Sequence, residues 1–377
     1  MSKNNENPGG EITFLLPDIS GFTKFLKETE ISHSRHIIEE LIAIIIRETK
    51  PRFRIVEVEG DALFLYQLAE KIDAETVFKV ASDTYIAFHK HLINYERLRI
   101  CNCGACTAAV KLSLKFIVHS GAVEFAKVNG KNKPYGLETI KAHRLMKNNI
   151  DGRDYILFSK SFTDNHAIDH LPANFYRGQQ EYDEIGTIHY SYINLRHLKE
   201  SLKPDDYSHY QSNNTLKVIA SETMEIDAPI EIVYKVLSDF KYRPLWNKEA
   251  KIVDHNEKDI YRIGSEHYCI INNKKFRIKT IGSKNSKLEF GEQIYNNGPF
   301  REINLYFIFN KATKNTTHTQ LTVEIRGSYY KLLKPVIDLI VKPKLRKKVP
   351  EMIAIIKRIS EDIYQERNIN SVAGVTK

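Results

Sequence analysis

Cysteine and tryptophan are scarce in this chain, with four of the first and one of the second in 377 residues. Three of the thiols, Cys101, Cys103 and Cys106, crowd into one short segment and Cys269 lies far away, so no disulfide framework is laid out. Long apolar runs are missing as well. The longest near the start, Leu41 to Ile46, is far too short to span a bilayer. The opening residues Met1 to Gly10 hold no apolar stretch of the kind that directs secretion, and the expectation is a cytoplasmic protein with no transmembrane segment. Internal repeats, low-complexity tracts and helix-turn-helix patterns are also absent. Basic residues are not interleaved with aromatics in a stripe, which argues against nucleic acid as a partner.

What remains is an ordinary globular composition, 42% hydrophobic and 27% charged. The length suits two cores better than one. The net charge of +9 is unevenly spread: residues 1–215 hold 27 basic against 28 acidic side chains, and residues 216–377 hold 29 against 19. The excess is therefore a property of the back half. It makes either a solvated basic surface or an attraction for anionic ligands and lipid headgroups.

The clearest seam runs from Arg196 to Asn214, polar, broken by Pro204 and without an apolar period. It divides the chain into an expected front domain over 1–196, a linker over 197–215, a back domain over 216–368 and a tail over 369–377. In the front domain Ile12 to Leu16 reads as a strand, and Ile37, Ile38, Leu41, Ile42 and Ile45 have helical spacing. Phe53 to Glu59 and Ala62 to Gln67 read as a hairpin turning at Gly60-Asp61. Asp73 to Asn94 reads as a helix, Leu112 to Ser120 and Gly121 to Lys127 as a strand pair, and Leu137 to Lys147 as a short helix. Interleaving of this kind implies an α+β sandwich. Residues 161–196 follow no pattern that assigns them.

In the back domain Lys217 to Ile226 is extended, and Ala228-Pro229 opens a helix with proline in its first turn that ends near Asp239. Strands are expected at 261–272, 275–281, 302–310 and 318–325. A helical stretch from about Tyr329 to Gln365 closes the chain, with Pro335, Pro343 and Pro350 expected to kink or divide it. Short helix, antiparallel sheet and long terminal helix make a helix-grip order.

Two carboxylates stand out in front. Asp18 lies in Phe14-Leu-Leu-Pro-Asp-Ile-Ser-Gly-Phe-Thr23, and Asp61 in Val56-Glu-Val-Glu-Gly-Asp-Ala62, 43 positions later. Taken singly, Asp18 could cap the following helix and Asp61 occupy a turn. Together, in this order and spacing, the two segments resemble the metal-binding motifs of class III nucleotide cyclases. That resemblance covers about residues 11–160 and implies a ferredoxin-like cyclase sandwich. It also implies Mg²⁺ or Mn²⁺ held by Asp18 and Asp61, a nucleoside triphosphate, and a homodimer whose sites are shared between subunits. Phe116-Ile-Val-His-Ser-Gly121 resembles the family's strand leading to a glycine turn. Tyr135-Gly-Leu-Glu-Thr-Ile-Lys-Ala-His-Arg144 resembles its segment entering the helix that supplies transition-state contacts, so Arg144 is the implied catalytic cation. At the two purine-reading positions stand Glu57, as in guanylyl cyclases, and Lys133, which departs from the family. Ile140 replaces an asparagine, which removes a polar contact to the reacting nucleotide.

The cysteine cluster Cys101, Cys103 and Cys106 would need a fourth ligand to hold Zn²⁺ and lacks paired CxxC knuckles; free thiols are the better reading. The run Met224 to Asp239, followed by Tyr242-Arg-Pro-Leu-Trp246, resembles the START-like, polyketide-cyclase-type superfamily over residues 217–365. This implies an apolar tunnel for a small molecule or lipid, lined by Tyr242, Trp246, Phe276, Phe290, Phe307 and Phe309, although each is also a plausible core residue. The run Lys342 to Lys348 has five cations in seven residues beside Ile337, Leu339, Ile340 and Val341. It is either a solvated face or a peripheral contact with anionic membrane.

The preferred functional reading is a degenerate cyclase-like sensor coupled to a hydrophobic-ligand domain. An active, ligand-regulated cyclase and a carrier with a scaffold-only front domain are the alternatives.

Overall fold

The computed structural model describes residues 9–27, 31–99, 104–128, 130–207, 216–247, 250–254, 262–271, 274–282, 289–295, 298–312 and 318–373. The chain divides into two compact units, residues 1–96 with 107–204, and residues 97–106 with 205–377. Both units are α+β.

In the first unit β1 (Gly9–Ser20) leads through α1 (Phe22–Lys27) and α2 (Ile31–Thr49) to β2 (Arg54–Glu59) and β3 (Ala62–Leu68). The hairpin between these strands turns at Gly60, whose φ of 63° lies where a side chain would be strained. Then come α3 (Ala74–Leu98) and α4 (Gly104–Ala108), of which residues 97–98 and 104–106 fall to the second unit, followed by β4 (Ser113–Val128), β5 (Lys131–Tyr135), α5 (Leu137–Leu145), β6 (Tyr155–Ser159), α6 (Lys160–Thr163), β7 (Phe175–Tyr182), β8 (Gly186–Asn194) and α7 (Arg196–Glu200). The sheet runs β2-β3-β1-β4-β6-β8-β7, with β5 paired to β4. Its first four strands interleave two β-α-β units, so β1 is flanked on both sides by antiparallel partners. β1 is buried almost throughout because both of its faces are covered: Phe14 and Leu16 belong to one core, while Leu15 and Ile19 are buried on the other face.

Two expectations change here. The strand pair expected at 112–127 is one continuous strand, β4, matched to β1 over Ser113–Glu124 and to β5 beyond. The unassigned residues 161–196 contain β7 and β8, which extend the sheet beyond β6.

The polar segment after Leu195 begins as α7 and is anchored to the first unit. Lys199 Nζ lies 2.7 Å from Asp154 Oδ1, which also accepts from Tyr85 and Ser113. Burial would raise the Asp154 carboxyl, but these three hydrogen bonds outweigh it and hold it below the usual range. Beside it His89, 5% exposed, is pushed down to about 4 by burial and then by the Lys199 charge, with Asp154 opposing. A histidine held neutral in the fold but protonated in the unfolded chain stabilises fully above the unfolded value, about 6.5. That contribution disappears as pH falls toward 4. Stability is therefore expected to drop by about 3 kcal/mol from this group across that window. Denaturant unfolding at several pH values checks it: His89→Gln should flatten the decline, and an unchanged slope would refute the assignment.

The second unit starts with β9 (Lys217–Ile226), then α8 (Ile230–Ser238) and α9 (Arg243–Trp246). Pro229 caps α8 rather than entering its first turn, and its carbonyl accepts from Ile232 and Val233. Six strands follow: β10 (Ala250–Asp254), β11 (Glu266–Ile271), β12 (Lys274–Gly282), β13 (Glu289–Ile294), β14 (Phe300–Lys311) and β15 (Thr319–Tyr329). The antiparallel sheet is ordered β10-β11-β12-β13-β14-β15-β9. Of its strands, β10 and β13 had no counterpart in the sequence reading.

The chain closes with a short 3-10 turn, α10 (Lys334–Val336), a π-helical turn over Ile337–Val341, and α11 (Lys342–Ala373). Division thus occurs after Pro335, whereas Pro350 lies inside a continuous α11. Val349, Ile353, Ile356 and Ser360 form the buried stripe of α11, and Lys357 donates to the Glu225 carbonyl at 2.7 Å, fixing the helix to β9. No helix among the described residues is long and apolar enough to cross a membrane.

Candidate functional site

Strand alternation puts Phe14, Leu16 and Asp18 on one face of β1. Asp18 stands opposite Ala62 on β3 and Lys115 on β4. The hairpin turn carries Asp61 to the same end of β1, where the Ile19 N–H donates to the Asp61 carbonyl at 3.0 Å. Burial, and after it the charge of Asp18, push the Asp61 carboxyl above the usual range. The two aspartates are thus brought to the same end of β1 as a carboxylate pair, close enough for the charge of Asp18 to act on Asp61.

A cation of the chain itself already serves it. Lys115 Nζ lies 3.1 Å from Asp18 Oδ2 and donates to the Met146 carbonyl at 2.9 Å. Sequence reasoning missed this lysine. Its alternation with Ile117 and His119 put it on a strand face, but only the β1–β4 register sets it opposite Asp18.

Glu57 and Lys133 are brought together too, in a way that changes their meaning. They pair with each other, and the hydrogen bond from Lys133 holds Glu57 below its usual range. Neither is presented as a free reader of a purine. Glu59, two residues on, is raised by burial and by its hydrogen bond with Glu57.

Arg144 is exposed on α5, as is Ile140 one turn earlier. Among the described residues no ion pair or hydrogen bond joins Arg144 to the aspartates.

Beneath α5 lies a second group that the motifs did not signal. His119 is buried on β4, with Nε2 at 2.8 Å from Glu138 Oε2 and Nδ1 at 2.9 Å from Ser159 Oγ and 3.1 Å from Ser161 Oγ. With Glu138 accepting from Nε2, the lone pair of Nδ1 accepts from one of the two hydroxyls, which also bond each other at 3.0 Å. The His119 bond leads the effects that bring Glu138 down to about 2. Gly121 makes the arrangement possible, because a Cβ there would sit 2.5 Å from Glu138 Cγ. The glycine read as a turn is instead the gap in β4 through which α5 reaches His119. His143, stacked on Phe64 at 4.3 Å, completes the packing of α5.

Of the clustered thiols, Cys106 is buried on α4, while Cys101 and Cys103 lie outside the described residues. Among the described residues no group of three His, Cys, Asp or Glu side chains is placed to hold a metal, so Zn²⁺ has no support. The aspartate pair still fits a smaller demand. Mg²⁺ takes one or two protein carboxylates and fills its remaining positions with water and phosphate oxygens.

In the second unit Trp246, Phe290, Phe307 and Phe309 converge, with Phe290–Phe307 centroids 5.1 Å apart and Trp246–Phe307 edge-on at 6.1 Å. Tyr234 of α8, absent from the expected set, touches Phe290 and Phe309. Phe276 belongs elsewhere, packed against Ala250, Cys269 and Ile278, and Tyr242 is half-buried under Lys241. Beside the aromatics lies a buried ion pair, Arg243 bidentate to Glu292, with the guanidinium over the Trp246 ring at 4.6 Å.

Residues 38–155 match a family model described as "Protein of unknown function (DUF2652)". A curated protein of Mycobacterium tuberculosis, "Uncharacterized protein Rv2561/Rv2562", is 32% identical over 59 residues, 16% of this chain and 28% of that protein's length. Similar solved structures include a bacterial light-regulated adenylyl cyclase, with TM-score 0.39 and 13% identity over 52% of this chain and 57% of that one. The guanylyl cyclase Cya2 has TM-score 0.38 and 12% identity over 49% of this chain and 92% of its own. A START superfamily protein from Mycobacterium smegmatis has TM-score 0.28 and 17% identity over 39% of this chain and 97% of its own.

Proposed function

We propose that the first unit is a class III cyclase-like domain of ferredoxin-like build. It binds a nucleoside triphosphate with Mg²⁺ or Mn²⁺, turns it over slowly, and acts as a sensor coupled to a helix-grip, START-like unit that takes an apolar small molecule or lipid. The observation that carries this reading is the pairing of Asp18 with Asp61 at one end of β1, in the order and spacing of the cyclase motifs.

Asp18 and Asp61 would hold the ion, which supplies charge neutralisation at the triphosphate oxygens. Lys115 already balances Asp18, so the site stays intact without metal and Lys115 must give way when an ion enters. The Glu57–Lys133 pair and the apolar Ile140 support slow turnover, since neither orients the base or the ribose. Arg144, exposed on α5, is free to reach a triphosphate held by another copy, which favours a two-fold homodimer with shared sites. In the second unit the hydrophobic-ligand reading rests on the helix-grip order of its elements, while Trp246, Phe290, Phe307 and Phe309 pack on one another as core.

Titration calorimetry with ATP and GTP, paired with an assay for cyclic product, tests the reading. Binding should require Mg²⁺ or Mn²⁺ and weaken about 10- to 100-fold in Asp18→Ala and Asp61→Ala. Cyclic product should form slowly, and Ile140→Asn should raise its rate. Metal-independent binding, or none, would leave the front unit as scaffold. Rapid wild-type turnover abolished by Asp18→Ala would make it an authentic cyclase.

A further inference from the structure

From the start of the closing helical segment the geometry points to a docking face for an anionic lipid bilayer. Between Tyr330 and Lys348 the sequence holds seven cations and one acid. Within this stretch Leu332 is 90% exposed, Leu339 80%, Ile340 49% and Val336 47%. Their spacing, at positions four, seven and eight after Leu332, gathers them on one side of the turns between Tyr330 and Val341.

The segment is not loosely attached. Ile337 is fully buried against Ile219, Phe300 and Ile303, with Leu333, Val341 and Leu345 packed beside it. The π-helical turn accommodates both demands, seating Ile337 in the core while Leu339 and Ile340 point to solvent. Four large apolar side chains are thus held outward by an anchored support.

Charge identifies the occupant. The only acid, Asp338, is neutralised from both sides by Lys334 Nζ at 2.5 Å and Lys342 Nζ at 2.6 Å, and these lysines hold it down at about 2. Lys331, Lys344, Arg346 and Lys347 are exposed around it, as is Arg301, whose guanidinium lies over the Tyr330 ring at 4.7 Å. An apolar tip ringed by cations matches the interface of a bilayer, where acyl chains receive the leucines and anionic headgroups the lysines. A second copy of the chain would bring the same cations together and repel.

The test is vesicle co-sedimentation of the full chain, compared between pure phosphatidylcholine and vesicles with roughly one-third phosphatidylserine. Binding should be confined to the anionic vesicles and weaken in about 0.5 M salt. Lys344→Glu/Lys347→Glu and Leu332→Glu/Leu339→Glu should each weaken it by at least about tenfold, with thermal unfolding unchanged because all four side chains are exposed. No sedimentation with either vesicle, or equal sedimentation of wild type and both variants, overturns the proposal. So does light scattering in which Leu332→Glu/Leu339→Glu converts a dimer to a monomer while vesicle binding is nil. Binding to a nucleic-acid duplex in preference to vesicles, lost in the lysine variant and kept in the leucine variant, would also overturn it.

Discussion

Arg243→Ala is expected to destabilise the second unit by about 3–5 kcal/mol, because it removes the cation that both oxygens of the buried Glu292 carboxylate bond. The side chains of Arg243 and Glu292 are 3% and 2% exposed, and the guanidinium serves both carboxylate oxygens while lying against Trp246. Nothing else in that position can replace a planar, two-pronged donor. Arg243→Lys should therefore recover only part of the loss. Replacing both partners, as Arg243→Met with Glu292→Leu, should restore most of the stability, since the cost lies in the unpaired charge rather than in the absence of the pair. Trp246 is the chain's single tryptophan and sits against Arg243, so its fluorescence reports the melting of this unit alone. A Trp246 transition in Arg243→Ala that coincides with wild type would show that Glu292 has other means of staying ionised.

In the first unit, Lys115→Met should convert a self-sufficient site into a metal-dependent one. It leaves Asp18 and Asp61 together without their cation, at an expected cost of about 2 kcal/mol in chelator. Excess Mn²⁺ should return most of that stability through binding to the folded form, and the gain should exceed that of wild type. Thermal unfolding followed by circular dichroism, with chelator and with Mn²⁺, measures both. Equal Mn²⁺ responses in the two proteins would mean that Lys115 does not stand in for the ion, and a stable, unresponsive variant would mean that the aspartates do not form a cation site.

The pair Glu57 and Lys133 shows how far residue types carry a functional assignment. By resemblance alone each falls at a position where cyclases read the base, and the sequence treats the two as independent. The structure makes them partners, because β5 folds back along β4 and brings Lys133 to the edge strand β2. Phe276 is the corresponding case behind. It shares the aromatic character of Phe290 and Phe307, yet the register opposite Cys269 sends it to a different cluster.

Periodicity and turn chemistry were enough for the local elements. The hairpin at Gly60-Asp61, the strand Lys217–Ile226 and the helices Ala74–Leu98 and Leu137–Leu145 follow from alternation, helical spacing and glycine placement, which act within a few residues. Asp18 and Asp61 were singled out by the resemblance of their two segments, in order and spacing, to cyclase metal-binding motifs, since either aspartate alone reads as a cap or a turn residue. Lys115, the His119–Glu138–Ser159 group and the Arg243–Glu292 pair lay beyond that reach. Each joins residues 19 to 97 positions apart, Lys115 meeting Asp18 through strand register, and Glu138 and Arg243 meeting their partners through the packing of a helix on a sheet. Register is set cooperatively by both faces of a sheet at once, so only the folded chain decides which charges neutralise one another.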